Sequence, residues 1–421
     1  MSKLLIDFGA SRIKSVLLQN DIFVNNIDYL PPLPCSSSDT KYEVLITHIK
    51  DIFYNIVKDN INNNIDSIFI CSEQHGFALI NDNNFITEYI SWKDNRAVEK
   101  IDGLSTIDFV KLNLPNFKKH TGMNIKPGIP SINLLHMMRL KSIPNRIKII
   151  SLPEIFGGNK IHSTMLAGLG IWDIYKKERY EDLFKLYSNM GYEVIFNEPT
   201  YDIEYIDNIY DNMKLYTAVG DNQCAILGSN LGNNQLIINM GTGSQIAKLD
   251  ILDINTNMEQ RPYFKNNSLS IITHIPSGRA LNCFIGFIDE CFKYVSSEMS
   301  AWKLFSNIKL EDILNSSMNF NLKVFDSSYG FENGGSINLI KENNFNIKNY
   351  IASLLKSYIE QYFEIIDEYS IKYTDILLAG GIPMKISLIK DYIKNIKKEN
   401  VIVNGCKEDE TLQGLKIISN F

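Results

Sequence analysis

The pattern of apolar and polar positions predicts one short arrangement twice, in which a strand leads through a polar turn to a second strand. The first copy spans residues 4–16 and the second spans residues 236–248. In each copy an apolar strand ends in a polar residue, Asp7 or Asn239, followed by one spacer, a glycine and a small polar turn. Because glycine lets backbone N–H groups approach phosphate oxygens closely, the paired turns predict a polyphosphate clamp. We therefore expect a two-domain, ATP-using enzyme.

The same pattern predicts the other elements of an α/β chain. Apolar residues at helical spacing predict helices over 42–60, 131–140, 180–190, 350–369, 386–396 and 408–417. Continuous apolar runs predict buried strands over 3–7, 14–19, 67–71, 268–273, 375–379 and 401–403. Residues 31–40, which are rich in proline and serine, are expected to form a loop. The second half of the chain thus repeats the hairpin and the alternating elements of the first.

Composition narrows the class of protein. A chain of 421 residues exceeds one ordinary core, so two or three domains are expected. The hydrophobic content of 45% and the charged content of 21% are those of a globular protein. The net charge of −6 argues against a partner that is a nucleic acid or an anionic membrane.

Cysteine spacing and the N-terminus indicate a cytoplasmic protein. No Cys-x-x-Cys pair occurs, so neither a zinc site nor a disulfide framework is predicted, and reduced thiols are expected. The chain begins directly with a strand rather than a signal sequence, and no run approaches 20 apolar residues. The cysteines are Cys35, Cys71, Cys224, Cys283, Cys291 and Cys406.

The two turns supply candidate phosphate ligands through backbone amides, hydroxyls and one cationic side chain. Asp7, at the end of its strand, is a candidate to support Mg²⁺ through water, because hard cations prefer oxygen ligands. No Gly-Lys-Ser/Thr follows either turn, so neither is a Walker A loop. An ordinary hairpin turn is the alternative for both. The candidate phosphate ligands are Gly9, Ser11, Arg12, Gly241, Thr242 and Gly243.

Three further segments carry candidate chemistry. Asp221 is placed to accept a proton from a substrate hydroxyl that attacks a phosphate, or else it caps the following helix, and the residues leave both roles open. Gln74 and His75, at the end of a buried strand, offer hydrogen bonds suited to a polyol, unless the histidine is merely buried. Gly380 and Gly381, between a strand and a helix, can lie flat against adenosine or form only a tight turn.

Residues 92–96 combine an apolar plate with charged groups. Trp92 can stack on the CH face of a sugar, and Asp94 and Arg96 can bridge hydroxyl groups. A structural ion pair between Asp94 and Arg96 is the alternative.

Taken in order, these segments resemble the motifs of the FGGY carbohydrate kinases, within the actin/hexokinase/Hsp70-like ATPase superfamily. Residues 121–122 with 131–135, and residues 410–414, resemble further blocks of that family. The resemblance implies two actin-like, ribonuclease H-like domains flanking a cleft. Residues 1–230 would bind the sugar and carry the first phosphate hairpin, and residues 231–421 would bind ATP. It implies Asp221 as the general base, Mg²⁺-ATP as the phosphate donor, and a sugar contacted by Gln74, His75, Trp92, Asp94 and Asn222.

Within the family, residues 167–170, 220–224 and 262–264 resemble the sedoheptulokinases. The reaction expected from this resemblance converts sedoheptulose to sedoheptulose 7-phosphate. Kinases of xylulose, ribulose or another heptose are alternatives, as is a sugar-binding sensor with weak catalysis. A chaperone or filament ATPase would not need hydroxyl-reading residues such as Gln74 and His75. The expected partner is a small sugar, with no nucleic acid and no membrane, and a homodimer is left open.

Several positions depart from the family pattern. Ser72 and Glu73 replace Gly-Gln, and residues 281–284 replace an Asn-Gly-Gly turn on the nucleotide side. Lys385 stands where many members have Asn or Ser near the adenine. These departures predict an unusual sugar specificity or a weakened nucleotide affinity.

Overall fold

A computed structural model describes residues 2–210, 212–295, 299–404 and 409–421. Cys406 and the predicted start of a helix at residue 408 lie outside the described residues. The chain forms two compact units. The first comprises residues 1–230, 250–269 and 406–421, and the second comprises residues 231–249 and 270–405. The division predicted at residue 230 assigned 250–269 and 406–421 to the second domain, whereas the structure groups both with the first unit.

The strands and helices have the following bounds. The strands are β1 (Ser2–Phe8), β2 (Ile13–Gln19), β3 (Ile22–Tyr29), β4 (Ser36–Ser37), β5 (Tyr42–Val44), β6 (Ile65–Ser72), β7 (Ala78–Asn81), β8 (Asn84–Phe85), β9 (Tyr89–Ile90), β10 (Lys100–Ile101), β11 (Leu104–Ser105), β12 (Arg146–Ile150), β13 (Lys160–His162), β14 (Trp172–Asp173), β15 (Glu178–Arg179), β16 (Glu193–Ile195), β17 (Glu198–Thr200), β18 (Tyr205–Ile209), β19 (Met213–Tyr216), β20 (Val219–Gly220), β21 (Gln235–Met240), β22 (Ser244–Asp250), β23 (Glu259–Pro262), β24 (Ser268–Ile275), β25 (Asn319–Asn321), β26 (Ser336–Asn338), β27 (Asp375–Ala379) and β28 (Val401–Val403). The helices are α1 (Ile46–Asp59), α2 (Thr106–Asn113), α3 (Phe117–Thr121), α4 (Pro130–Arg139), α5 (Ser163–Gly168), α6 (Glu181–Asn189), α7 (Asp221–Gly228), α8 (Gly278–Tyr294), α9 (Leu310–Asn315), α10 (Ile347–Glu368), α11 (Gly381–Lys385), α12 (Leu388–Tyr392) and α13 (Glu410–Ile418).

The main sheet of the first unit has the order β18-β19-β6-β1-β2-β3, and β20 also pairs with β6. β1 is antiparallel to β2 and parallel to β6, with Phe8 opposite Ser72. β20 is likewise parallel to β6, with Gly220 opposite Ser72. The carboxyl ends of β1, β6 and β20 therefore meet at one edge of the sheet, where ligands commonly bind in α/β folds.

Two helices of the first unit pack closely because two glycines leave room for their backbones. A Cβ at Gly228 of α7 would lie 1.8 Å from the carbonyl oxygen of Glu410, and a Cβ at Gly414 of α13 would lie 2.0 Å from that of Cys224. This contact brings residues 409–421 back to the first unit. It also holds the start of α13 beside the end of α7.

Residues 250–269 are tied to the first unit by hydrogen bonds from its earlier segments. The backbone N–H of Gln260 donates to the carbonyl of Gly122 over 2.8 Å, and Lys118 donates to the carbonyl of Asn257 over 2.5 Å. β23 also packs against α5. Sequence reasoning could not anticipate this return because the segment follows a strand of the second unit.

The sheet of the second unit runs in the order β24-β22-β21-β27-β28, with β21 antiparallel to β22 and parallel to β27. The long helix predicted at 350–369 is α10, and its apolar residues at helical spacing between Ile351 and Ile366 are buried. The helix predicted at 386–396 is divided into α12 and a π-helical turn, Ile393–Lys397. None of the helices described is both long and apolar enough to cross a membrane.

Candidate functional site

Two carboxylates lie at the shared edge of β1, β6 and β20. Asp7 is the penultimate residue of β1, and Asp221 is the first residue of α7, directly after β20. Burial, together with the negative charge of Asp7, raises the pKa of Asp221 to about 7. Burial also raises the pKa of Asp7. A carboxylate with a pKa near neutrality is suited to accept a proton at physiological pH.

Asp221 is not the cap residue of α7, although its carboxylate accepts a hydrogen bond from the first turn of that helix. Gly220 is the cap residue of α7, and the Oδ1 of Asp221 accepts from the backbone N–H of Asn222 over 2.7 Å. An acidic side chain in the first turn also complements the helix dipole. Asn222 is half-buried beside Asp221, at the same end of the helix.

Asp7 is held by residues from both ends of the chain. Its Oδ2 lies 2.6 Å from the Oγ1 of Thr411 and 3.2 Å from the Nζ of Lys14. Lys14 also donates to Asp409 over 2.7 Å. Burial opposes the charge of Lys14, but Asp7 and Asp409 raise its pKa to about 12. Asp409 and Thr411 were not predicted as site residues; the family resemblance of residues 410–414 pointed to the segment of Thr411, and no sequence signal pointed to Asp409.

Glu73 adds a third acid at this edge, and its side chain is buried. The hydroxyl of Tyr89 donates to its Oε1 over 2.6 Å, and burial raises the pKa of Glu73 to about 7 although that hydrogen bond favours the charged form. Tyr89 fits because residue 76 is glycine: a Cβ at Gly76 would lie 1.7 Å from the tyrosine hydroxyl oxygen. Sequence reasoning noted Glu73 only as a departure from a family pattern.

Gln74 and His75 follow β6 and are oriented by carbonyl groups near α5. Gln74 donates to the carbonyl of Thr164 over 2.6 Å. The Nδ1 of His75 lies 2.7 Å from the carbonyl oxygen of Gly168, which can only accept, so Nδ1 carries the proton. Burial, together with nearby Arg261, lowers the pKa of His75 to about 3. The ring is therefore neutral, and its Nε2 can accept a hydrogen bond from a hydroxyl group.

The ion pair left as an alternative at residues 94–96 is present. Asp94 is 0% exposed, and Arg96 donates to its two oxygens over 2.7 and 2.8 Å. The backbone N–H of Tyr42 donates to the same carboxylate over 2.8 Å. This geometry corrects the expectation that Asp94 contacts sugar hydroxyls, because the carboxylate is enclosed and its oxygens already accept hydrogen bonds. Trp92 is 41% exposed and keeps an accessible face.

The first glycine turn belongs to the first unit. A Cβ at Gly9 would lie 2.8 Å from the carbonyl oxygen of Arg12, so the turn is too tight for a larger residue without adjustment. Ser11 is exposed. The side chain of Arg12 is 63% exposed and donates to Asp28 over 2.8 Å, so a phosphate would have to compete with that carboxylate.

The second glycine turn, residues 241–243, joins β21 to β22 in the second unit. It is anchored to the start of α8, where the N–H of Gly278 donates to the carbonyl of Gly241 over 3.0 Å and that of Arg279 donates to the carbonyl of Thr242 over 2.9 Å. Among the described residues, no other side chain or backbone atom lies within 4 Å of a Cβ placed at Gly243. This side of the turn is open to a ligand, next to the N-terminus of a 17-residue helix.

The other predicted nucleotide segment lies beside this turn. β21 and β27 are parallel neighbours, with Asn239 opposite Ala379, so residues 241–243 and 380–381 leave the sheet at the same edge. Gly380 has a φ of 87°, and a Cβ there would lie 2.6 Å from the carbonyl oxygen of Met240. Only glycine fits this turn without strain. Residues 281–284, where the sequence differs from the family's Asn-Gly-Gly turn, lie inside the helix α8 and form no turn.

Comparisons with known proteins were made for the whole chain. No model of a protein family and no curated protein sequence matches it. Solved structures do match. The ligand-bound xylulose kinase of Lactobacillus acidophilus has a TM-score of 0.79 at 17% identity, with 100% of this chain and 92% of that chain covered. The glycerol kinase of Plasmodium falciparum with ADP has a TM-score of 0.81 at 14% identity, with 99% and 88% covered.

This chain has the fold of sugar kinases. The gluconate kinase of Lactobacillus acidophilus is a third similar structure, with a TM-score of 0.79 at 16% identity and with 100% of this chain and 89% of that chain covered. The predicted fold class, an α/β chain with two actin-like ATPase units, is confirmed. Because the sequence identities are only 14–17%, the similarity to these three structures establishes a shared fold and nothing further.

Proposed function

We propose that this protein is an ATP-dependent carbohydrate kinase, a phosphotransferase that uses an alcohol group as acceptor. The observation that carries the proposal is Asp221, a half-buried carboxylate of raised pKa, beside Asp7 at the carboxyl edge of parallel strands in a sugar-kinase fold. Phosphoryl transfer needs alignment, charge neutralisation and a base positioned at the attacking hydroxyl. In this proposal Asp221 accepts the proton of the sugar hydroxyl as its oxygen attacks the terminal phosphate of ATP.

The residues around Asp7 fit Mg²⁺ held largely through water. Among the described residues no three His, Cys, Asp or Glu side chains come together as a direct ligand set. Mg²⁺ commonly keeps several waters and uses one or two carboxylates with substrate phosphates. Asp7 supplies such a carboxylate, and its raised pKa reflects a buried acid that a divalent cation would stabilise in the charged form. When bound, Mg²⁺ would neutralise charge on the phosphates.

The glycine segments of the second unit are proposed to hold the nucleotide. Gly241, Thr242 and Gly243 offer backbone amides and a hydroxyl to phosphate oxygens. Gly380 and Gly381 leave a surface without side chains on which adenosine can lie. Gly9, Ser11 and Arg12 of the first unit are proposed as further phosphate contacts.

The sugar is proposed to bind to residues of the first unit. His75 accepts a hydrogen bond through Nε2, Gln74 and Asn222 supply amides, and Trp92 offers an apolar face. Asp94 has an indirect role, since it fixes residues 92–96 through its ion pair. Motif resemblance alone supports sedoheptulose as the substrate and the 7-phosphate as the product. Xylulose, ribulose and other heptoses are the alternatives, and a cytoplasmic protein, monomeric or homodimeric, is expected.

An ADP-release screen tests the proposal. The purified protein, with ATP and Mg²⁺, is assayed against ketoses, heptoses, alditols and sugar acids, and the phosphorylated product is identified by mass spectrometry. We expect ADP release that depends on one class of polyol. Sugar-independent ATP turnover would instead favour a chaperone-like ATPase, and sugar binding without transfer would favour a sensor.

A further inference from the structure

Two cationic side chains share one buried carboxylate near the proposed sugar site. The Nη2 of Arg261 donates to the Oε2 of Glu259 over 2.7 Å, and the Nζ of Lys126 lies 3.8 Å from its Oε1. The backbone N–H of Asn124 donates to the same Oε1 over 2.9 Å. Because Lys126 and Arg261 face a single negative charge in Glu259, the three side chains together carry one excess positive charge.

Because the cluster is largely buried, water can solvate its excess positive charge only in part. Arg261 is 4% exposed, and the remaining donors that it uses go to the neutral carbonyls of Gly122 and Gln260. The side chain of Lys126 is 27% exposed, whereas those of Arg261 and Glu259 are 5% exposed, so Lys126 is the member of the cluster that a ligand can reach. Burying a charge without a counterion is costly. An anion at Lys126 would remove that cost.

The cluster lies at the sugar-binding end of the first unit. Arg261 and Glu259 are on β23, which packs against α5, and α5 ends at Gly168, the residue whose carbonyl fixes His75. The positive charges of Arg261 and Lys126 contribute to the lowered pKa of His75, so they act directly on that ring.

Gln74, which precedes His75 in the chain, connects this site to Asp221, the proposed base. A Cβ placed at Gly220 would lie 2.4 Å from the Nε2 of Gln74, so Gln74 touches the residue that precedes Asp221. These contacts connect Asp221 through Gln74 and His75 to the cationic cluster. A polyol with one hydroxyl at Asp221 would extend towards Lys126.

We propose that Lys126, supported by Arg261, binds an anionic group on the polyol substrate, at the end remote from the hydroxyl that receives phosphate. This inference rests on the proposed kinase function. It narrows the substrate class to sugar acids or sugar phosphates, because a neutral ketose such as sedoheptulose leaves the excess charge uncompensated. A carboxylate and a phosphate ester share the chemistry that the cluster recognises.

Matched pairs of substrates test the inference. D-Gluconate is compared with D-glucitol, D-xylonate with xylitol, and fructose 6-phosphate with fructose, by kcat/KM in the ADP-release assay. We expect the anionic member of at least one pair to be preferred by about 10- to 100-fold, the range for a hydrogen bond to a charged group. Preference within the aldonate pairs identifies a carboxylate, and preference within the fructose pair identifies a phosphate.

The variant Lys126→Met should remove this preference and leave neutral polyols within about threefold of wild type. Lys185 is an exposed lysine on α6, and Lys185→Met is the matched control. It should change neither the preference for anionic substrates nor the activity with neutral polyols. If neutral members are used as well as anionic ones, or if Lys126→Met retains the preference, the inference is wrong while the kinase function stands.

Calorimetric measurement of sugar binding without ATP distinguishes failure of the kinase proposal from failure of the anion-site proposal. If no polyol releases ADP, the kinase function fails. Weaker binding of gluconate, xylonate or fructose 6-phosphate to Lys126→Met than to wild type would then still support the anion site. Equal binding, or no binding to either protein, would overturn it.

Discussion

The hydroxyl oxygen of Thr411 lies 2.6 Å from the Oδ2 of Asp7, 404 positions earlier in the chain. The same hydroxyl lies within hydrogen-bonding distance of Asp409, the cap residue of α13. Since Lys14 contacts both carboxylates, the start of the last helix is joined to the first hairpin by two polar side chains. The end of the chain thus orients the carboxylate proposed to support Mg²⁺.

Replacement of Thr411 by valine should weaken this orientation with little loss of fold. Removal of one hydrogen bond to a charged group costs about 1.5–3 kcal/mol. We expect a higher Mg²⁺ requirement for half-maximal rate and a modest fall in kcat, measured by Mg²⁺ titration of initial rates. Thr374→Val, at an exposed position, is the control. Identical Mg²⁺ curves for Thr411→Val and wild type would contradict a role for Thr411 in orienting Asp7.

Asp221→Asn should abolish most of the catalytic rate. A positioned general base typically contributes about 10²–10⁴-fold, and the amide cannot accept the proton. Sugar binding should persist, because the shape of the side chain is kept. The measurement is kcat together with sugar affinity by calorimetry, with the exposed Asp51→Asn as control. An unchanged kcat would show that Asp221 is not the base.

The pH dependence of kcat/KM for the sugar should report the ionisation of Asp221. The base acts in its deprotonated form, so activity should be full above its pKa of about 7 and should fall about tenfold per pH unit below it. A pH–rate profile between about pH 5 and pH 9 makes the measurement. A flat profile across neutrality would exclude a base with this pKa.

Glu73→Gln should move the acidic limb of that profile. The negative charge of Glu73 contributes to the raised pKa of Asp221, so its removal should lower that pKa and extend activity to more acidic solutions. Glutamine can still accept from Tyr89, which limits structural disturbance. A limb that moves to higher pH, or does not move, would show that Glu73 does not act on Asp221.

Gly76→Ala should destabilise the first unit, because the added methyl carbon would lie 1.7 Å from the hydroxyl oxygen of Tyr89. Overpacking of this kind costs about 1–3 kcal/mol, measured by urea unfolding. Adding Tyr89→Phe, which removes that oxygen, should recover part of the loss. Gly286→Ala in α8 is the control, because no atom from the part of the chain that the structure describes lies within 4 Å of a Cβ placed there; this variant should be neutral or stabilising. Equal stabilities for Gly76→Ala and the control would refute the steric argument.

The candidate site could be predicted where its chemistry is local in sequence. Asp7 lies at the end of an apolar strand, and Asp221 and the glycine segments follow apolar stretches, so polar or glycine residues at strand ends are a recognisable signal. The role of Asp94 could not be chosen from the sequence, because an ion pair and a sugar contact need the same residues at the same spacing. Burial of the Asp94 carboxylate decided between them.

The order of apolar and polar residues by itself determined the buried strands of the two hairpins, the long helix α10, the paired glycine turns and the carboxylates at strand ends, since these depend on neighbours a few positions away. Tertiary structure alone decided which distant groups share an environment. Parallel pairing of β1 and β20 with β6 brings Asp7 and Asp221 to one edge, and the close contact of α7 with α13 delivers Thr411 there. A pKa depends on burial and on charges within a few ångströms, and sequence separation does not report those distances.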